Sequence, residues 1–293
     1  MRVFITGATG LIGLAVTAEL LSAGHTATAL TRSDASAARA TAAGAEPLRG
    51  GLADLEVLRA GVEQADGVIH LAFSNDFSSS EALARGIAEE SAALATLGES
   101  LIGTGKPLVT VSGTPHVVGR ASTEDDPLPT DGLVGGRSVS VTRALELASR
   151  GVRSSAVRLP RTVHNQGEGG FAGLLTQFAR QSAIAGYPGD GAQRWPAVHA
   201  LDAAVLFRLA LEEAPAGSSW HAVADEGDTV RDIVAVIGRR LGLPVRSLPA
   251  ENFGPLGPVF ATDQPASASR TRAELGWEPT RPSLLADLEN IQA

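Results

Sequence analysis

No cysteine occurs among the 293 residues. A disulfide framework, a thiolate nucleophile and a Cys-ligated metal are excluded with it. Tyrosine occurs once, as Tyr187, and lysine once, as Lys106, so every other Lys-or-Arg position is arginine. The six histidines are dispersed without an H-E-x-x-H pair, and no G-x-S-x-G occurs. Those absences argue against a metal centre and a hydrolase elbow. Positive charge is in deficit: 24 Lys+Arg against 32 Asp+Glu leave a net −8. That is the wrong balance for a protein that grips a phosphate backbone. Long apolar runs are missing too. Val3–Ile5 is too short for a signal-peptide core, and Leu11–Leu21 is broken by Glu19 and too short to cross a bilayer. The expected setting is soluble and cytoplasmic, with a small-molecule partner and neither nucleic acid nor membrane.

What is present suffices for a packed core, since 44% of residues are apolar and only 19% charged. The first 160 residues alternate short apolar or β-branched runs with Ala/Leu-rich stretches. Strands are predicted at Arg2–Thr6, Thr26–Thr31, Gly67–Phe73, Pro107–Ser112 and Ser154–Leu159. Helices are predicted at Leu11–Ala23, up to Ala43, from the cap Asp54 to about Gln64, at Glu81–Ile102 and at Arg137–Arg150. This βαβ rhythm implies an α/β fold with a doubly wound parallel sheet. After Pro160 the rhythm loosens. Helices are predicted at Phe171–Ala183, Asp202–Glu212 and Val230–Leu241, with a strand at Ser219–Val223.

The sharpest motif is Thr6-Gly7-Ala8-Thr9-Gly10-Leu11-Ile12-Gly13, directly after the first strand and opening the first helix. Gly7 permits positive φ in a tight turn. Gly10 lets the backbone approach a pyrophosphate, and Gly13 lets the helix lie against the sheet. Free N–H groups at the helix start then face the phosphates. At the end of the second strand stand Thr31-Arg32-Ser33. An acid there would suit a ribose 2′-hydroxyl; an arginine suits a 2′-phosphate, with Ser33 adding a hydroxyl donor. The expected cofactor is therefore NADP(H).

The G-x-x-G-x-x-G spacing resembles that of the extended short-chain dehydrogenase/reductases. Further segments match in order: Val68–Phe73, Arg158-Leu159-Pro160 with Val163-His164, Arg194–His199 before Asp202, and Leu275-Gly276-Trp277-Glu278-Pro279. The resemblance implies a Rossmann domain over residues 1–160 and a smaller C-terminal substrate lobe over 161–293. The two would be interleaved, with about 196–225 returning to the Rossmann part. It places Leu52 at the adenine, Leu71, Ala72 and Phe73 along the ribose and diphosphate, and Ser112 and Pro160 beside the cofactor. It also implies a homodimer built on the helices around Glu81–Ile102 and Arg137–Arg150.

Most members of that family use Tyr-x-x-x-Lys as proton donor and pKa-lowering partner. Here Lys106 precedes Tyr187, so the pair does not exist. Ser138 and Thr142 stand in its positions, and neither titrates near neutrality. The chain therefore looks like an atypical, epimerase-like member with a degraded active site. The family's serine maps to Thr114 or Ser112, and its helical asparagine to Glu90, a carboxylate able to hold a relay water. His164 and Tyr187 are the remaining candidate donors, each alternatively a packing residue. His116 and Asp76 follow strands five and four. Trp195, Tyr187, Phe73, Phe77 and Phe171 are candidates for an apolar lining, Trp195 alternatively for an interface plug. The expected activity is NADP(H)-dependent reduction of a carbonyl or activated double bond in a small apolar molecule. The alternative is a non-catalytic NADP-binding sensor.

Overall fold

The computed structural model describes residues 1–74, 76, 79–132 and 135–292. In chain order the elements begin β1 (Arg2–Thr6), α1 (Leu11–Ser22), β2 (Thr26–Thr31), α2 (Asp34–Ala42), β3 (Glu46–Arg49), α3 (Leu55–Glu63) and β4 (Gly67–His70). They continue α4 (Ser80–Glu99), β5 (Pro107–Gly113), α5 (Gly135–Glu146), a 3-10 turn Leu147–Arg150, and β6 (Arg153–Leu159). Then come β7 (Thr162–His164), α6 (Gly170–Ser182), β8 (Ala185–Pro188), β9 (Arg194–His199), α7 (Ala200–Glu213) and β10 (Ser218–His221). The chain closes with β11 (Asp225–Thr229), α8 (Val230–Leu241), β12 (Val245–Leu248), α9 (Gly257–Phe260), α10 (Ser269–Leu275) and α11 (Leu284–Leu288).

Two compact units divide these elements. The first comprises Met1–Ser112, Leu128–Arg158 and Ala204–Trp220; the second comprises Gly113–Pro127, Leu159–Ala203 and His221–Ala293. The first unit is organised on a seven-stranded sheet in the order β10-β6-β5-β4-β1-β2-β3. β1 pairs in parallel with β2 and β4, β2 with β3, and β4 with β5. This is the doubly wound Rossmann-like sheet expected from the βαβ rhythm. The strand order reverses beside β1, so the carboxyl ends of β1 and β4 flank the switch point where ligands bind in such sheets.

β4 is buried along its whole length, as its continuous apolar run requires of a central strand. α3 departs from expectation at its start. The Asp54 side chain does not cap the helix; it accepts the Gly51 N–H at 2.7 Å and braces the preceding turn. β3 and β8 were not legible as strands because each carries a proline, and β8 also a glycine.

The second unit holds a three-stranded sheet, β11-β9-β7, and a two-stranded one, β12-β8. Its core gathers Trp195, Phe253, Phe260, Leu284 and the apolar face of α8. β11 brings an acid close to that core. Asp228 leaves its Oδ2 buried with no partner among the described residues. Burial, reinforced by Asp225 and Asp232, pushes the Asp228 carboxyl up to about 6. The folded chain therefore holds this proton more tightly than the unfolded chain. Stability from this group is present at acid pH and is lost as pH rises from the ordinary 3.8 through about 6. Asp228→Asn should raise urea stability at pH 7.5 by about 1–2 kcal/mol, discounted for partial exposure, and leave it unchanged near pH 3. A destabilised Asn variant at pH 7.5 would refute this account.

Candidate functional site

The glycine loop after β1 is held by its own backbone. Gly7 has φ +76°, and a Cβ there would lie 2.8 Å from the Ala72 nitrogen. Gly10 donates to the Gly7 carbonyl at 3.2 Å, closing the turn. At Gly13 a Cβ would lie 2.1 Å from the Gly7 oxygen. The constraint on Gly13 is thus the loop itself, rather than the helix-to-sheet contact expected from the sequence. Gly10 differs from both. Its backbone is extended, at φ −78° and ψ 176°, which any residue adopts. The nearest atom to a Cβ there would be 3.6 Å away. Nothing in the fold requires glycine at this position.

The chain in front of Gly10 has the character of an anion site. α1 has no side-chain cap and no acid in its first turn. Its first N–H groups and the positive end of the helix dipole are left for an external acceptor. Leu11 is exposed there, and Thr9 and Ile12 are half-buried. A diphosphate fits this cradle, because the space a side chain would fill at Gly10 is open and the donors face it.

At the end of β2, Arg32 is exposed and has no hydrogen-bond or ion-pair partner among the described residues. Its neighbours are committed. The Ser33 hydroxyl caps α2 reciprocally with Ser36, accepting Ser36 N–H at 3.2 Å and donating to Ser36 Oγ at 3.1 Å. Asp34 ion-pairs with Arg49 at 3.0 Å. The expected hydroxyl donation from Ser33 to a phosphate therefore competes with its cap, while Arg32 is available. Leu52, Leu71, Ala72 and Phe73 are all half-buried.

Across the carboxyl ends of β1, β4 and β5 runs a row of polar side chains. Thr6 is the register partner of His70, and His70 of Thr110. Register partners share one sheet face. The Thr6 hydroxyl meets His70 Nδ1 at 2.8 Å and accepts the Ala72 N–H at 3.3 Å. His70 Nε2, Thr110 Oγ1 and, two residues further on, Ser112 Oγ are buried without a partner among the described residues. Burial, helped by the Arg137 charge, pushes His70 down to about 4, so it is neutral at physiological pH.

Beside this row lies a pair that the sequence did not disclose. Arg137 Nε and Nη2 donate to Glu90 Oε2 and Oε1, each at 2.7 Å. The guanidinium also stacks 4.1 Å above the Phe73 ring. Each Glu90 oxygen accepts one of these bonds, which leaves it a second lone pair. Ser138, in the family's tyrosine position, is buried in α5, and Thr142 turns its hydroxyl back onto the Ser138 carbonyl at 2.9 Å. His70 and Arg137 escaped the sequence reading for one reason. Each lies in a segment already explained by a strand or helix pattern, and their pairing spans distant positions.

Most of the remaining sequence candidates belong to the second unit. Thr114 is buried; its N–H donates to the Leu159 carbonyl, its own carbonyl accepts from Gln264, and its Oγ1 has no partner among the described residues. Pro160 is buried and Tyr187 half-buried on β8, against the second unit's core. His164 is 1% exposed and joined to Asp287 Oδ2 at 2.8 Å, with its ring edge-on to His199 at 5.3 Å. It is a core histidine of that unit. Trp195 is sealed between Phe171 and Phe260, so it cannot present an aromatic wall to a substrate. His116 is exposed, and Phe77 lies outside the described residues. Among the described residues no cluster of acids and histidines could hold a metal, and no helix is long and apolar enough to cross a membrane.

A loop of this construction at the switch point of a parallel sheet defines a dinucleotide-binding protein of the Rossmann class. The model of the NAD dependent epimerase/dehydratase family matches residues 3–223, and the chain belongs to that family. It is 42% identical over 294 residues to the uncharacterized protein C2A9.02 of Schizosaccharomyces pombe, with 98% of each chain covered. It is 41% identical over 295 residues to the uncharacterized protein YLL056C of Saccharomyces cerevisiae, again with 98% of each covered. Among solved structures, it resembles the UDP-glucose 4-epimerase of Thermotoga maritima at 20% identity and TM-score 0.78, covering 99% of this chain and 97% of that one. It also resembles the dTDP-glucose 4,6-dehydratase DesIV of Streptomyces venezuelae at 18% identity and TM-score 0.77, covering 99% and 95%. The extended short-chain dehydrogenase/reductase fold expected from the motifs is thus present.

Proposed function

We propose that the protein is an NADPH-dependent reductase of a carbonyl or activated double bond in a small, apolar molecule, working without the family's tyrosine. The bound cofactor would supply hydride. The chain's contribution is to hold the diphosphate on the loop at Gly10, to place Arg32 against a 2′-phosphate, and to offer the Ser112 hydroxyl as a donor to the substrate oxygen. The observation that carries the reading is the buried Ser112 Oγ at the carboxyl end of β5, which has no partner among the described residues, in line with Thr110 Oγ1 and His70 Nε2, which have none either. A buried donor left unpaired costs about 1–3 kcal/mol, and a bound substrate oxygen would remove that cost. Neutral His70 cannot be the acid at physiological pH, so the proton is drawn from water through such a hydroxyl.

Two measurements test this. NADPH oxidation across ketones, quinones and enones should give turnover that falls in Ser112→Ala. Retained NADPH binding with no turnover on any class would favour a nucleotide-responsive binding protein instead. In equilibrium titration NADPH should bind more tightly than NADH, and Arg32→Ala should remove most of that difference, roughly tenfold to 150-fold. Equal wild-type affinities would reject the NADP assignment.

A further inference from the structure

The Arg137–Glu90 pair is used by nothing described so far. Glu90 is 4% exposed and Arg137 24% exposed at the side chain, so the carboxylate is the buried partner and the guanidinium the outward one. A guanidinium carries five N–H donors in a rigid fork. Glu90 takes two of them. The remaining three have no partner among the described residues. Phe73 covers one face of the fork. Phe73 follows Ala72, whose backbone abuts the Gly7 turn. Arg137 therefore stands one side chain beyond the nucleotide loop, and it is fixed there.

Charge decides what such a donor will accept. Arg137 and Glu90 together sum to zero, and His70, on which the Arg137 charge acts, is neutral. A free arginine attracts carboxylates and phosphates. This one is offset in part by a buried carboxylate 2.7 Å away, so an anion arriving at its outer edge gains less net Coulomb energy than at a free arginine. It would still lose its hydration. An uncharged carbonyl gives up far less hydration and receives the same directed N–H groups.

We infer that the outer edge of Arg137 binds the uncharged carbonyl oxygen of the substrate, and that Glu90 sets this choice of a neutral over an anionic group by offsetting the arginine charge. Naming that oxygen as the substrate's rests on the reductase reading; the preference itself is measurable without turnover.

The probes are benzamide and benzoate, titrated calorimetrically into NADP⁺-saturated protein. Wild type should bind benzamide at least roughly tenfold more tightly than benzoate. Glu90→Gln keeps the shape and frees the charge. It should raise benzoate affinity roughly tenfold and change benzamide affinity less than about threefold. Arg137→Lys retains a cation but cannot grip both carboxylate oxygens. It should lose benzamide binding roughly tenfold, and it decides the matter should Glu90→Gln not fold. Benzoate preferred by wild type, a ratio unmoved by either folded variant, or no binding of either probe would each overturn the inference. The expected pattern without turnover on any carbonyl would defeat the reductase reading and leave this site standing. Turnover with an unmoved ratio would do the reverse.

Discussion

Gly13→Ala should cripple both folding and nucleotide binding, whereas Gly10→Ala should weaken binding more than roughly tenfold and leave the fold nearly intact. The two glycines lie three positions apart in one motif, yet their surroundings differ. At Gly13 the added carbon would meet the Gly7 oxygen at 2.1 Å and two Ala8 backbone atoms within 2.7 Å. Those atoms belong to a turn that is itself pressed against Ala72, so they cannot retreat. The overlap should cost at least about 3 kcal/mol, at the upper end for overpacking. At Gly10 the added carbon meets nothing closer than 3.6 Å, and the backbone is ordinary extended chain. Alanine is a poorer helix N-cap than glycine, which sets the expected loss at about 1 kcal/mol or less. The same carbon would occupy the space proposed for the diphosphate, and NADPH affinity should fall more than roughly tenfold. Thermal melts and NADPH fluorescence titration on the two variants separate the effects. Wild-type NADPH affinity in Gly10→Ala would remove the phosphate from this loop.

The contrast also shows where sequence reading succeeds. Gly7, Gly10 and Gly13 were legible because strand, turn and helix follow one another locally, and the motif's chemistry lies within eight residues. The parallel sheet was legible because buried strands are continuous apolar runs. The segments around Asp202 and Trp277 were recognised as family motifs, and their reason appears only in the fold. The Trp277 indole donates to the Asp202 carbonyl at 2.9 Å, and the Asp202 carboxylate accepts the N–H groups of Thr280 and Arg281. Those motifs secure the second unit to itself. Arg137 with Glu90, and His70 with Thr6, were invisible for the complementary reason. They pair across 47 and 64 positions, and no local pattern encodes a partner that far away.

His164 is the residue on which sequence and structure differ most, and Asp287→Ala is the measurement that resolves it. The sequence offers His164 as a proton donor; the structure buries it against Asp287. That carboxylate accepts His164 Nδ1 at 2.8 Å, Gly167 N–H at 3.0 Å and Gln166 N–H at 3.1 Å, with the Asn290 amide at 3.3 Å. Burial alone would raise the Asp287 carboxyl, but the hydrogen bonds from His164 and Gly167 outweigh it and hold it below its ordinary 3.8. A depressed carboxyl contributes stability that is present above the unfolded value and is lost as pH falls through the folded one. Removing the carboxylate strands the buried Gly167 N–H and the buried His164 imidazole, and frees the N–H of the exposed Gln166. Stranding a buried donor in this way costs about 1–3 kcal/mol. Urea unfolding at pH 7 should show that loss in Asp287→Ala. Asp287→Asn, which keeps the shape, should lose less, and both should show a smaller decline below pH 4 than the wild type, the rest coming from Asp126 and Asp263, which are also held down. A loss under about 1 kcal/mol in Asp287→Ala would mean that the dyad does not hold this unit together. His164 would then regain its standing as a candidate for chemistry.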